Sequence, residues 1–139
     1  METDQQRWPR AVMLVGAAYL AAGMIFGALA ARASSDQMRV TWRLLAWLTS
    51  GVAFAAHIAY EHFRLRDSPV TTALHTSLAV ALGACALAAA ANIHGLAAGS
   101  SHQRALVLAL VAWPVLAAVP AFVIALCTAA LLALRRRGV

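Results

Sequence analysis

The sequence predicts an all-α integral membrane protein, an up-down bundle of four transmembrane helices without a soluble domain. Three observations predict it. Of the 139 residues, 63% are hydrophobic and only 12% are charged, whereas a soluble domain carries about 25% charged residues. The charges are gathered into short blocks. Between the blocks lie four apolar runs, and roughly 20 such residues span the hydrocarbon core as a helix.

The first run, Ala11 to Ala31, has no charge and predicts a helix over about 9–32. Its small-x-small ending, Ala31-Arg32-Ala33, resembles a signal-peptide cleavage site. The run exceeds the usual 7–15 residues, however, and its leader has no net positive charge. A retained helix is expected. Gly23 and Gly27 form a GxxxG pair on it, a pattern that permits close helix contact within the bundle or between subunits. Contact within the bundle is the plainer expectation.

The second run, about Leu44 to Tyr60, is the shortest, and the helix is expected over about 41–63. The third, about Val70 to Ile93, predicts a helix over about 69–94. Ser68 and Pro69 supply its start signals, an N-cap and a first-turn proline. The fourth run, Ala105 to Leu134, predicts a helix over about 104–135. It contains Pro114 and Pro120, and proline commonly kinks a helix. A run of that length is ~45 Å long, so it must tilt or project beyond the bilayer. The links are short, which favours antiparallel neighbours in one transmembrane domain over residues 1–139.

All eleven basic residues are arginine. With four spans, seven of them fall on the side of both termini and four on the other. Arginine excess marks the cytoplasmic face, so N-in and C-in is expected. The Ala- and Arg-rich composition points to a bacterial protein of the cytoplasmic membrane. The net charge of +6 does not call for nucleic acid, because the arginines flank apolar runs. Arg135, Arg136 and Arg137 suit anionic lipid headgroups. Trp8, Trp42 and Trp113 suit the membrane interfaces.

The residues that stand out are ionisable ones near lipid depth, which are functional candidates by default. His57 and Glu61 are four apart and share a helical face. That face continues through Ala53, Ser50 and Ala46, so it points into the bundle. His75 lies about six residues inside the third run, and His57 is as far from the end of the second. Both are ~9 Å below the helix ends by helical rise. His62 falls about 140° round from His57 and nearer water, which suits an interfacial role.

Three readings of this cluster compete. The plainest is a hydrogen-bonded polar pair, since buried polar groups need partners. The second is a divalent metal or b-type haem on His57 and His75, with Glu61 as third ligand or orienting group. No CxxC, HExxH or CxxCH motif accompanies it, so no cofactor is the simpler expectation. The third is proton or ion movement, but only Thr49, Ser50, Ser77 and Thr128 are polar further in. On the opposite side, Asn92, His94, His102 and Arg104 form a secondary polar group; interfacial polar residues of a loop are the simpler expectation, and a cradle for a headgroup or a partner subunit is the alternative.

No nucleophile elbow, phosphate-binding loop or paired carboxylates occur, so catalysis is not expected. The favoured function is an accessory or assembly subunit of a larger membrane complex, its partners being the bilayer and other subunits or further copies of itself. A metal- or haem-binding protein and a small oligomeric transporter or channel are the alternatives.

Overall fold

The computed structural model describes residues 7–99 and 103–137. It is all-helical over these residues. Helix α1 spans Arg7–Ala31, α2 spans Asp36–Tyr60, α3 spans Pro69–Ala97 and α4 spans Gln103–Arg137. A π-helical turn, Glu61–Leu65, extends α2 directly. Three helices, α1, α3 and α4, are long and apolar enough to cross a membrane. The second is less apolar, because Arg43, Thr49, Ser50 and His57 lie along it.

Capping sets two of the helix starts. Ser35 lies in extended backbone, and its hydroxyl accepts from the Met38 N–H. Asp36 then pairs with Arg39 at 2.8 Å. The helix therefore begins at Asp36, ahead of the start near Thr41 that the apolar run indicated. The Ser68 hydroxyl likewise accepts from the Thr71 N–H, and Pro69 occupies the first turn of α3. Helix α4 runs unbroken through Pro114 and Pro120.

The packing order differs from that suggested by the short links. Helix α3 packs along both α1 and α4, whereas α2 lies chiefly along α1. It meets α3 and α4 mainly near the π turn. The cause lies in two glycines, Gly16 on α1 and Gly83 on α3. A Cβ at Gly83 would sit 2.6 Å from the Tyr19 Cβ and 3.1 Å from the Gly16 carbonyl oxygen. These helices approach so closely that only glycine fits. Gly23 also faces α3, covered by the Leu87 side chain, while Gly27 has nothing within 4 Å of a Cβ position.

On α4, Ala121, Ala125 and Ala129 are buried at intervals of four, a stripe of small side chains against α3. Ile58, Ala73 and Ala125 form a buried apolar cluster where α2, α3 and α4 converge, with Phe54, Phe122 and Leu126 packed around it. In lipid such contacts are held by close packing, because lipid tails are as apolar as leucine. This cluster lies at the end of the bundle that carries the π turn.

Candidate functional site

The site grows from the junction between α2 and α3. In the last turn of α2, His57 and Ile58 turn inward. The backbone then widens into the π turn, which buries both Glu61 and His62. Widened turns of this kind occur often at functional sites. Arg66 ends the turn in the left-handed region, at φ 57° and ψ 32°, and its N–H donates to the Glu61 carbonyl. Asp67 N–H reaches the same carbonyl at 3.4 Å. The chain thereby reverses within a few residues, and the capped start of α3 brings His75 back against Glu61.

Glu61 is the centre of the arrangement. It is fully buried, with 0% of its surface exposed. Its Oε2 lies 2.9 Å from Nδ1 of His75. Its Oε1 lies 3.7 Å from Nε2 of His57, beyond hydrogen-bond range. Both of those atoms are buried and have no hydrogen-bond partner. Leaving such groups unpaired costs about 1–3 kcal/mol each. A third ionisable group stands at the mouth, where Asp67 Oδ2 is 4.0 Å from the same His75 nitrogen. Ligand-capable atoms of Glu61, Asp67 and His75 all lie within 4.8 Å of one another. Two carboxylates this close repel unless a proton or a cation sits between them.

Helix α1 closes one side. Trp8 stacks on the His75 ring, with centroids 4.4 Å apart and planes within 5°. The Trp8 side chain, expected at the interface as an anchor, thus covers a histidine of the site. His62 departs from its expected interfacial place. It is buried, its Nε2 has no partner, and its ring meets Phe63 edge-on. The 140° estimate assumed regular α-helix, and the π turn changes that angle. Thr72 Oγ1 is also buried without a partner. Four of the five buried, unpaired polar side-chain atoms among the described residues therefore gather around one end of the molecule, the fifth being the Tyr19 hydroxyl at mid-helix on α1.

The structure brings His57, Glu61 and His75 together, and adds Asp67. The signal for Asp67 was its position directly before the Ser68-Pro69 cap, where a tight reversal returns it to Glu61. The other polar group separates. Asn92 is buried and donates to the carbonyls of Ala88 (3.0 Å) and Leu106 (2.5 Å), while Gln103 donates to its oxygen at 3.4 Å. It ties α3 to α4. His94 and Arg104 are exposed, and His102 lies outside the described residues. Arg135 is exposed at the end of α4; the side chains of Arg136 and Arg137 lie outside the described set.

The arrangement can hold a small cation. It is poorly suited to a haem, because the Glu61 side chain fills the space between His57 and His75. Among the described residues, three hydroxyls further along the bundle are engaged within their own helices, where Thr76, Ser77 and Thr128 donate to backbone carbonyls. Comparison of the chain with family models, with curated proteins and with solved structures finds no match.

Proposed function

We propose that this protein is a helical membrane protein that binds one divalent transition-metal ion between α2 and α3. Glu61, His75 and Asp67 are its ligands, and His57 is a fourth ligand or holds Glu61 in place. The single observation that carries the reading is the pair of buried, unpartnered atoms, Glu61 Oε1 and His57 Nε2, beside a cluster of three ligating groups. A mixed imidazole and carboxylate set, without thiolate, suits zinc, manganese or iron(II) better than copper(I). In a tetrahedral site with bonds of ~2.0–2.1 Å, ligand atoms lie about 3.3 Å apart. The separations of 2.9 and 4.0 Å around His75 Nδ1 need adjustments of under about 1 Å to meet that value.

We place α2 in the membrane beside α1, with the site at the cytoplasmic face. The arginine bias supports this topology. The accessory role expected from composition is a natural setting for the site, since the chain carries no catalytic motif. A larger complex recovered with this protein in mild detergent would support that role.

The test is metal titration of purified protein stripped with a chelator. Cobalt(II) is expected to bind one per chain with a visible ligand-field spectrum, and zinc to displace it. Glu61→Gln and His75→Ala are each expected to weaken binding by about 10–100-fold. Binding weakens toward acid, because every ligand must lose its proton. Absence of saturable binding, or binding indifferent to both substitutions, would overturn the proposal.

A further inference from the structure

We propose that the opposite end of the molecule binds an anionic phospholipid in the cleft between α1 and α2. The cleft separates the C-terminal half of α1 from the N-terminal half of α2 and has a volume of about 420 Å³. Gly27 and Ala30 line it from α1, Ala46 and Trp47 from α2, and Arg39 and Arg43 stand at its mouth. The two arginines are four apart, so they share one face of α2. The space beside Gly27 is open, with no atom within 4 Å of a Cβ position.

The lining dictates the occupant. Below the arginines it is apolar, so water there would lack the two to four polar partners it needs. An alkyl chain has no such requirement. From Ala31 down to Gly23 the trough is about 12 Å deep by helical rise, which accommodates the upper part of an acyl chain. At the mouth, two guanidiniums suit a phosphodiester, which arginine grips with paired hydrogen bonds. Arg39 already contacts Asp36, but that pair is exposed, and exposed pairs contribute 1 kcal/mol or less. It can yield to a phosphate.

A second copy of the chain fits less well. The sequence has five acidic residues. Glu61 and Asp67 lie at the far end, and Asp36 is engaged with Arg39 on the same helix. Among the described residues a neighbouring copy therefore has only Asp36 to offer at this end, whereas an anionic lipid carries its charge in the headgroup, directly above the chain that fills the trough.

Native mass spectrometry of the full chain tests this, with phosphatidylglycerol and phosphatidylcholine of identical acyl chains as probes. Phosphatidylglycerol is expected to be retained preferentially. Arg39→Gln and Arg43→Gln should reduce that preference by about fivefold for each charge removed, and lower phosphatidylcholine retention less, because its choline offsets the phosphodiester that both lipids carry. Gly27→Leu, which fills open space, should reduce retention of both lipids while the helical circular dichroism stays intact. Glycerol phosphate should not compete, because it lacks the chain. Equal retention of the two lipids, or retention unaffected by the double arginine substitution, overturns the proposal. So does efficient disulfide cross-linking of two Gly27→Cys chains in the membrane, with Cys85 and Cys127 replaced by serine because both are free and exposed, which would put a second copy in the cleft.

Discussion

The two ends of the α1–α2 pair are built on opposite plans. At the end near the π turn, α2, α3 and α4 converge, and polar groups are fully enclosed. Glu61, Thr72 and Thr76 are the largest side chains buried completely. At the other end, among the described residues, α2 lies chiefly along α1, and the helices part to leave a cleft edged by arginine. Enclosure makes charge costly and therefore specific, since a buried ionised group must be paired or must coordinate. An open cleft lets charge remain solvated and restricts recognition to its walls. The two ends of α2 thus lie at a small, largely enclosed, ligand-rich site and at a wide amphiphilic cleft.

Substitutions that break this contrast should differ in size. The largest effect is expected for Glu61→Ala, which strips His75 of its buried partner and opens a void. Loss of one member of a buried pair costs about 3 kcal/mol or more, readable as reversible unfolding in mixed micelles. Replacing both Glu61 and His75 by leucine should recover much of that loss, because packed apolar groups often match a buried ion pair. Recovery by the double variant with metal binding abolished would separate stability from function.

Gly83→Ala comes next. Its new methyl meets the Tyr19 Cβ and the Gly16 carbonyl, so α1 must move away from α3. Overpacking of this kind costs about 1–3 kcal/mol, and a thermal denaturation midpoint close to wild type would contradict the packing order described. Ser68→Ala removes the cap of α3 and should cost about 1 kcal/mol. Because that cap sets the direction from which His75 returns to Glu61, metal affinity should fall with it. Unchanged affinity would show that the cap serves the helix alone. The smallest effect is expected for Gly27→Ala at the open end, within about 0.5 kcal/mol. Comparison of Gly83→Ala with Gly27→Ala is thus a direct measure of the difference between the close α1–α3 contact and the open α1–α2 cleft.

The gross fold was legible because segregation of charge from apolar runs is a property of composition along the chain. Helix lengths followed from it, as did the paired placement of His57 and Glu61 four residues apart. Depth along the helices put His75 level with His57. Neighbour relations were less legible. Short links argued for α2 against α3, but the close approach of Gly16 and Gly83 draws α1 against α3 instead. Both glycines sit on small-residue stripes visible in the sequence, and only geometry says which stripes meet. The π turn hid one further member of the site and the burial of a neighbouring histidine. It rotates His62 inward, where regular α-helix would leave it near water. Together with left-handed Arg66 it also folds Asp67 back toward Glu61, a path that helical periodicity does not encode.

The stack of Trp8 on His75 has an optical consequence. An indole in face contact with an imidazole reports that ring's charge and ligation through its own emission. Trp42, Trp47 and Trp113 are the remaining tryptophans, and none shares that contact. A chain retaining Trp8 alone would therefore carry a built-in gauge of the site. Its emission should change in step with cobalt or zinc titration, and in the Glu61→Gln background only at about 10–100-fold higher metal concentration.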